Sequence, residues 1–330
     1  ERDKAEGCWF MDRLGFFKQG LSSVMEAAQA VVGLKKAAET FTEAVDDALR
    51  DVSPGLGLFL PSIDAMMYDS PSGTLYEVGQ MGYTKVEAGC YYNGAAYGVQ
   101  PQELLQMAKS SGLKILGLHL NKFYEKEHQP QEVEPAGQAA ESTAAAKAEF
   151  LGPAIKAWWE KALDSAQAMK CKFVTMSKFP EEVSEQTIEE YAEYFNLVGA
   201  MAQERGLKFS FHPSEAELRP RGESSIFENL VQRCRKDVVW FELDSFEAHK
   251  AGADLCKIIQ LHAERVIALH LHDYDITCES GEIDFNKIMN QAEQSKIEEI
   301  FIEVRSFPLP PQNCAERSLR NVEMLDSVKI

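Results

Sequence analysis

His212, Asp244, His270 and Glu303 each close an apolar, strand-like run: LKFSFH, VVWFELD, RVIALH and EEIFIE. Successive members lie 32, 26 and 33 residues apart. Where parallel strands alternate with helices and close into a barrel, the C-terminal strand ends gather on one rim, so side chains distant in sequence meet around one point. Two imidazoles and two carboxylates at one point offer the mixed nitrogen and oxygen donors of a divalent metal site, which suits manganese, zinc or cobalt better than calcium. A single His or Asp at a strand end usually caps a loop. Repetition at the same point of four consecutive runs is what argues for a shared ligand set.

The elements that must position these residues are legible as a period. After Ser53-Pro54-Gly55, short apolar runs alternate with amphipathic helical stretches. Strands are expected at 56–60, 85–89, 113–120, 172–177, 207–212, 238–244, 265–273 and 298–303, with a closing helix at SLRNVEMLDSV, residues 318–328. Eight strands and eight helices predict an α/β (β/α)8 TIM barrel over residues 55–330. Ahead of it, residues 1–54 are expected to form a helical N-terminal extension. Phe17, Leu21, Val24, Phe41 and Val45 lie on its apolar stripe, which would pack on the barrel or contact another subunit or partner chain. Residues 121–152, polar and rich in Glu, Gln and Ala, are long for a βα loop and leave from the rim that carries the candidate ligands.

Length and composition agree with one large barrel plus an appendage, since a (β/α)8 domain typically takes about 250 residues and the chain has 330. The formal charge of −18, from 52 acidic against 34 basic residues, repels polyanions and argues against nucleic acid or an anionic membrane as partner. No run reaches the ~18 apolar residues that a membrane span needs. Seven scattered cysteines, none spaced C-x-x-C, read as reduced thiols and a cytoplasmic protein. Export is the alternative if RLGFFKQGLSSVMEAAQAVVGL is a remnant leader, although Glu26 and Gln29 interrupt its apolar middle. Phosphate-binding loop, dinucleotide fingerprint and serine-hydrolase elbow are all absent from the sequence.

Several segments together carry a more specific signal: LGLFLPSIDAMMYDSPSGTLYEVGQMGYTKVEAG, FHPSEAEL, FELDSFEAHKAGAD, VIALHLHDYD, SGEIDF and FIEVR. In these the chain, over about residues 56–330, resembles the sugar phosphate isomerase/epimerase family of xylose-isomerase-like TIM barrels. The resemblance implies a divalent cation (manganese, zinc, cobalt or magnesium) held by Asp244, His270 and Glu303, with His212 or Glu217 completing the shell. It also implies that Glu303 doubles as a catalytic base, that Glu217 is the acid on the opposite face, and that Glu87 and His119 stand where relatives contact sugar hydroxyls. The pattern departs in two places: Ser214 stands for the second histidine of an H-N-H motif, and His272 for the lysine of L-H-x-K-D. An imidazole holds no fixed positive charge at neutral pH, so His272 fits a sugar better than a phosphate. Among the remaining residues, Trp240, with Tyr91, Tyr92 and Phe307, offers an apolar wall for a sugar ring. Lys178 is a candidate for binding an oxyanion.

The chemistry such a site permits is removal of a proton from carbon beside a carbonyl, with a cation stabilising the enediolate. The expected function is therefore a divalent-metal-dependent isomerase or epimerase acting on a small carbohydrate. Two alternatives stand beside it: a lyase that cleaves a glycosidic or C-glycosidic bond of an oxidised sugar by the same chemistry, and a catalytically silent barrel used for binding.

Overall fold

The structure is a computed structural model that describes residues 55–124, 151–222 and 224–326. The expected N-terminal extension, and most of the long segment at 121–152, lie outside the described residues. Eight parallel strands close a barrel in which each pairs with the next in sequence and the last returns to the first. They are β1 (Gly57–Phe59), β2 (Lys85–Ala88), β3 (Lys114–His119), β4 (Phe173–Met176), β5 (Lys208–Phe211), β6 (Val239–Asp244), β7 (Val266–His272) and β8 (Ile300–Glu303). All eight fall inside the runs expected from sequence.

Each strand is followed by a helix: α1 (Pro71–Met81), α2 (Pro101–Ser110), α3 (Pro153–Ala168), α4 (Glu185–Gln203), α5 (Ile226–Arg233), α6 (Leu255–His262), α7 (Phe285–Gln294) and α8 (Pro311–Glu323). Their starts follow from local chemistry. Proline opens α1, α2, α3 and α8, where its missing N–H costs nothing, and Ser184 and Ser225 close capping boxes on α4 and α5. Asp254 and Asp284 cap α6 and α7. The closing helix begins earlier than the expected 318–328 because Pro311 fits its first turn and Cys314 already belongs to its buried stripe.

Alternation along the strands decides what faces the barrel axis. Leu58, Val86, Val174, Phe209, Phe241, Leu269 and Ile302 point outward into the apolar layer they share with helix residues such as Leu75, Leu104, Trp159, Phe195, Leu230 and Leu319. The intervening positions point inward. At the lower level these are apolar: Leu116, Phe173, Ala268 and Phe301 form a separate buried cluster. Above that floor the inward positions turn polar, with Glu87, His119, His212, Glu242, Asp244, His270, His272 and Glu303 all buried. Such side chains are rarely buried unless paired, so the upper half of this barrel is a site before it is a core.

Candidate metal centre

Four consecutive strands bring together the four residues that the sequence offers as candidate ligands. His212 directly follows β5 and extends its ladder through a backbone hydrogen bond to the Met176 carbonyl at 2.9 Å. Asp244 and Glu303 are the last residues of β6 and β8, and His270 lies within β7 two positions before its end. One donor atom from each of the four lies within 4.8 Å of the others, and all four residues are buried.

Hydrogen bonding fixes three of them. Asp244 Oδ1 caps the short helix Ser245–Ala251 by accepting from the Glu247 N–H at 2.7 Å, and its Oδ2 lies 3.0 Å from His272 Nδ1. Glu303 Oε2 lies 2.6 Å from His270 Nδ1, while its Oε1 accepts from Arg305. His212 differs: its Nε2 is buried and has no hydrogen-bond partner. Burial, reinforced by the neighbouring charge of His270, lowers the His212 pKa to about 4, so the ring is neutral with a free lone pair at neutral pH. Burial raises the carboxyls of Asp244 and Glu303, but His272 beside the first and His270 beside the second outweigh it, and both are held below the usual range. Two ionised carboxylates, one neutral imidazole with an orphaned nitrogen and a second imidazole fit a divalent cation.

A second buried group lies against the first and shares His270 with it: Glu87, His119, Glu242 and His270. Here the two imidazoles and two carboxylates alternate in a closed ring. His119 Nε2 is 2.9 Å from Glu242 Oε2 and 3.2 Å from Glu87 Oε1, and His270 Nε2 is 2.9 Å from Glu87 Oε2 and 3.0 Å from Glu242 Oε1. Only one contact per imidazole has hydrogen-bond geometry, and Glu87 Oε1 and Glu242 Oε1 remain buried without a hydrogen-bond partner. Burial, and then the charge of Glu242, raises Glu87 to about 7. Glu242 is lowered because His270 and His119 overcome its burial, and His270 is raised well above the usual imidazole value because Glu242, Glu303 and Glu87 overcome its burial.

The remaining candidates divide by position. His272 is buried against Asp244, with its ring 4.8 Å from that of Phe246. Glu217 is not part of the four-residue group: its Oε2 accepts from both the backbone N–H and the hydroxyl of Ser214 at 2.8 Å in a capping box. Arg219, two residues further on, pairs with Glu215 and not with Glu217. Burial raises the Glu217 pKa. Lys178 is exposed beyond β4, and Tyr92 and Phe307 are exposed. Trp240 is not brought to the site. It lines a cleft of ≈ 500 Å³ with Lys172, Phe173, Lys208, Val266 and Glu299, at the opposite ends of the strands, where Lys208 Nζ lies 5.0 Å from its ring centre. Two participants were not singled out from sequence. Glu242 lies two residues before Asp244 and therefore on the same strand face, a signal that was available. Arg305 enters only through the path of the chain after β8.

Residues 75–325 match the family described as xylose isomerase-like TIM barrel. No curated protein sequence matches the chain. Among solved structures, a sugar phosphate isomerase/epimerase from Parabacteroides distasonis aligns at 21% identity and a TM-score of 0.71, covering 83% of this chain and 99% of that one. D-psicose 3-epimerase from Clostridium cellulolyticum aligns at 12% identity and 0.60, covering 82% and 99%. A probable 3-DHS dehydratase from Bacillus anthracis aligns at 11% identity and 0.55, covering 81% and 97%. At these identities the likeness is one of fold.

Proposed function

This chain belongs to the xylose isomerase-like TIM barrel family, and on that premise we propose that it is a divalent-metal-dependent isomerase or epimerase of a small carbohydrate. The observation that carries the reading is the meeting of His212, Asp244, His270 and Glu303 at the strand ends, with His212 Nε2 buried and without a hydrogen-bond partner. Those four residues would hold the cation. When bound, it supplies positive charge beside a carbonyl and its neighbouring hydroxyl, lowering the cost of the charge that proton removal leaves there.

Glu303 is the proposed base. It is ionised at neutral pH and held in place by His270 and Arg305, so it is ready to accept a proton from carbon next to the carbonyl. Glu217 is the proposed second acid: burial raises its pKa, the direction a proton donor needs, and the Ser214 cap fixes its carboxyl. His272, bonded to Asp244, is placed to orient that ligand and to meet a sugar hydroxyl rather than a phosphate.

Solvent exchange tests this without knowledge of the product. A panel of ketoses and aldoses incubated with Mn²⁺-loaded protein in D₂O should gain deuterium on carbon next to the carbonyl. Glu303→Gln should slow that exchange by about three orders of magnitude or more, because it removes a base and a ligand charge together. Protein that binds no divalent cation, or a Glu303→Gln variant with undiminished exchange, would remove the basis for this assignment.

A further inference from the structure

His270 turns its two nitrogens to different surroundings. Nδ1 faces Glu303, within the group at the strand ends, whereas Nε2 faces Glu87 and Glu242 in the ring beneath. We propose that Glu87 and Glu242 are positioning residues for His270: they hold a proton on Nε2 and thereby leave Nδ1 as the nitrogen offered to a divalent cation. The inference rests on the metal centre proposed above, and it assigns to the ring a role which that proposal leaves open.

Hydrogen-bond counting supports it. A carboxylate only accepts, and carboxylates face both nitrogens of His270, Glu303 at Nδ1 and Glu87 and Glu242 at Nε2; Glu303 belongs to the ligand group, so a cation bound there takes the place of the Nδ1 proton, and the proton that stays is the one facing Glu87 and Glu242. Histidine ligands to metals commonly donate their other ring N–H to a carboxylate, which fixes both tautomer and ring orientation. In this barrel Glu87 Oε2 makes that hydrogen bond at 2.9 Å, and Glu242 Oε1 stands beside it 3.0 Å from Nε2 as a second carboxylate oxygen without hydrogen-bond geometry. His119 bridges the same two carboxylates from the other side at 3.2 and 2.9 Å and so closes the ring.

Backbone irregularities coincide with both acids. The register of β2 against β3 shifts between Val86 and Glu87, and that of β6 against β7 shifts between Phe241 and Glu242. In both, the extra residue lies on the partner strand, Leu116 in β3 and Ile267 in β7, so the irregularities re-aim the strands that carry His119 and His270 against those that carry the two carboxylates. Gly117 opens space for one of them, since a Cβ there would stand 3.0 Å from Glu87 Cγ and 2.4 Å from Phe173 Cε2. The imidazole has little freedom to turn away, with the rings of Phe59 and Phe301 centred 4.8 and 5.9 Å from its own. Two fully buried carboxylates are a poor way to fill a barrel for stability alone, because apolar side chains of similar volume commonly serve as well or better.

The test begins on the unmutated protein with ¹⁵N-labelled histidine, loaded with diamagnetic Zn²⁺, the His270 signals being assigned against His270→Asn. The expected spectrum has a directly bonded proton on His270 Nε2 and none on Nδ1. The dissociation constant for Mn²⁺, measured by chelator competition, should rise about 10- to 100-fold in Glu87→Gln and in Glu242→Gln, the range typical of lost outer partners of metal ligands. It should rise further in the double variant, because a neutral amide oxygen is a weaker acceptor for Nε2–H than a carboxylate and the double variant leaves no carboxylate there. Urea unfolding of the metal-free variants separates this from lost structure: the weakened binding should appear in protein that unfolds with the wild-type slope. Wild-type Mn²⁺ affinity in both single variants and the double variant would overturn the assignment, as would a Zn²⁺-loaded spectrum with the proton on Nδ1. Failure of the unmutated protein to bind either cation would instead bring down the metal centre itself, and this inference with it.

Discussion

His212 is the residue whose chemistry depends most on where the fold puts it. A free imidazole titrates near pH 6.5, but burial among other positive groups brings this one to about 4, which keeps its lone pair available. The shift has a stability consequence with a definite sign. Because the folded pKa is below the unfolded one, the unfolded chain binds a proton first as pH falls. Stability present above about pH 6.5 is therefore lost on the way down to about pH 4. Between pH 7 and pH 5 the loss assignable to this ring is on the order of 2 kcal/mol. In metal-free protein, His212→Gln should lose less stability than wild type over that interval by about this amount, measured as the difference in urea unfolding between the two pH values. The other titrating groups largely cancel in the comparison, so equal losses in both proteins would mean that the ring is not held neutral. The residue type alone announced a possible ligand. Its neutrality and its orphaned nitrogen are properties of the packed barrel and could not be read from LKFSFH.

At the scale of elements, the strands were the most legible part of the chain, because every one is an apolar run bounded by polar or turn residues. Alternation then carries further than the ligand positions taken from it. Counting back by two from Asp244 reaches Glu242, in the ring, and by four reaches Trp240, on the same face but about 13 Å lower at ~3.3 Å per residue. That distance explains why Trp240 opens at the far end of the barrel rather than beside a sugar. Glu217 was legible in a different way: Ser214-Glu215-Ala216-Glu217 has the S-x-x-E spacing of a capping box, and the cap forms. The register shifts at Glu87 and Glu242 were not legible, because register is a relation between two strands and neither sequence states it alone. Gly117 makes the point testable. Gly117→Ala forces a Cβ against Phe173 and Glu87, and overpacking of this kind should cost about 1–3 kcal/mol in urea unfolding. Divalent-cation affinity should fall alongside, since Glu87 is displaced. A variant as stable as wild type would show that β3 has slack at this point.

For the whole barrel, the two buried polar groups tie together different sets of strands. The upper group joins β5, β6, β7 and β8, which are neighbours along one side. The ring joins β2 and β3 to β6 and β7 across the axis, with His270 common to both. Unfolding must scatter all of these residues, so a cation bound at the strand ends is bound by the folded state and not by the separated strands. Mass action then sets the effect: cation present at 100 times its dissociation constant stabilises the fold by about 2.7 kcal/mol. For a domain of this size that corresponds to a rise in Tm of a few degrees. Protein stripped with EDTA and refilled with Mn²⁺ should show this rise, and it should grow with the logarithm of the Mn²⁺ concentration. Glu303→Gln should lose most of the rise while keeping a Tm near that of the stripped wild type, because the variant removes a ligand and leaves the apolar floor of Leu116, Phe173, Ala268 and Phe301 untouched. A stripped protein whose Tm ignores Mn²⁺ up to millimolar concentration would place the cation outside the folding equilibrium. The buried imidazoles and carboxylates would then have to be explained by their mutual pairing alone.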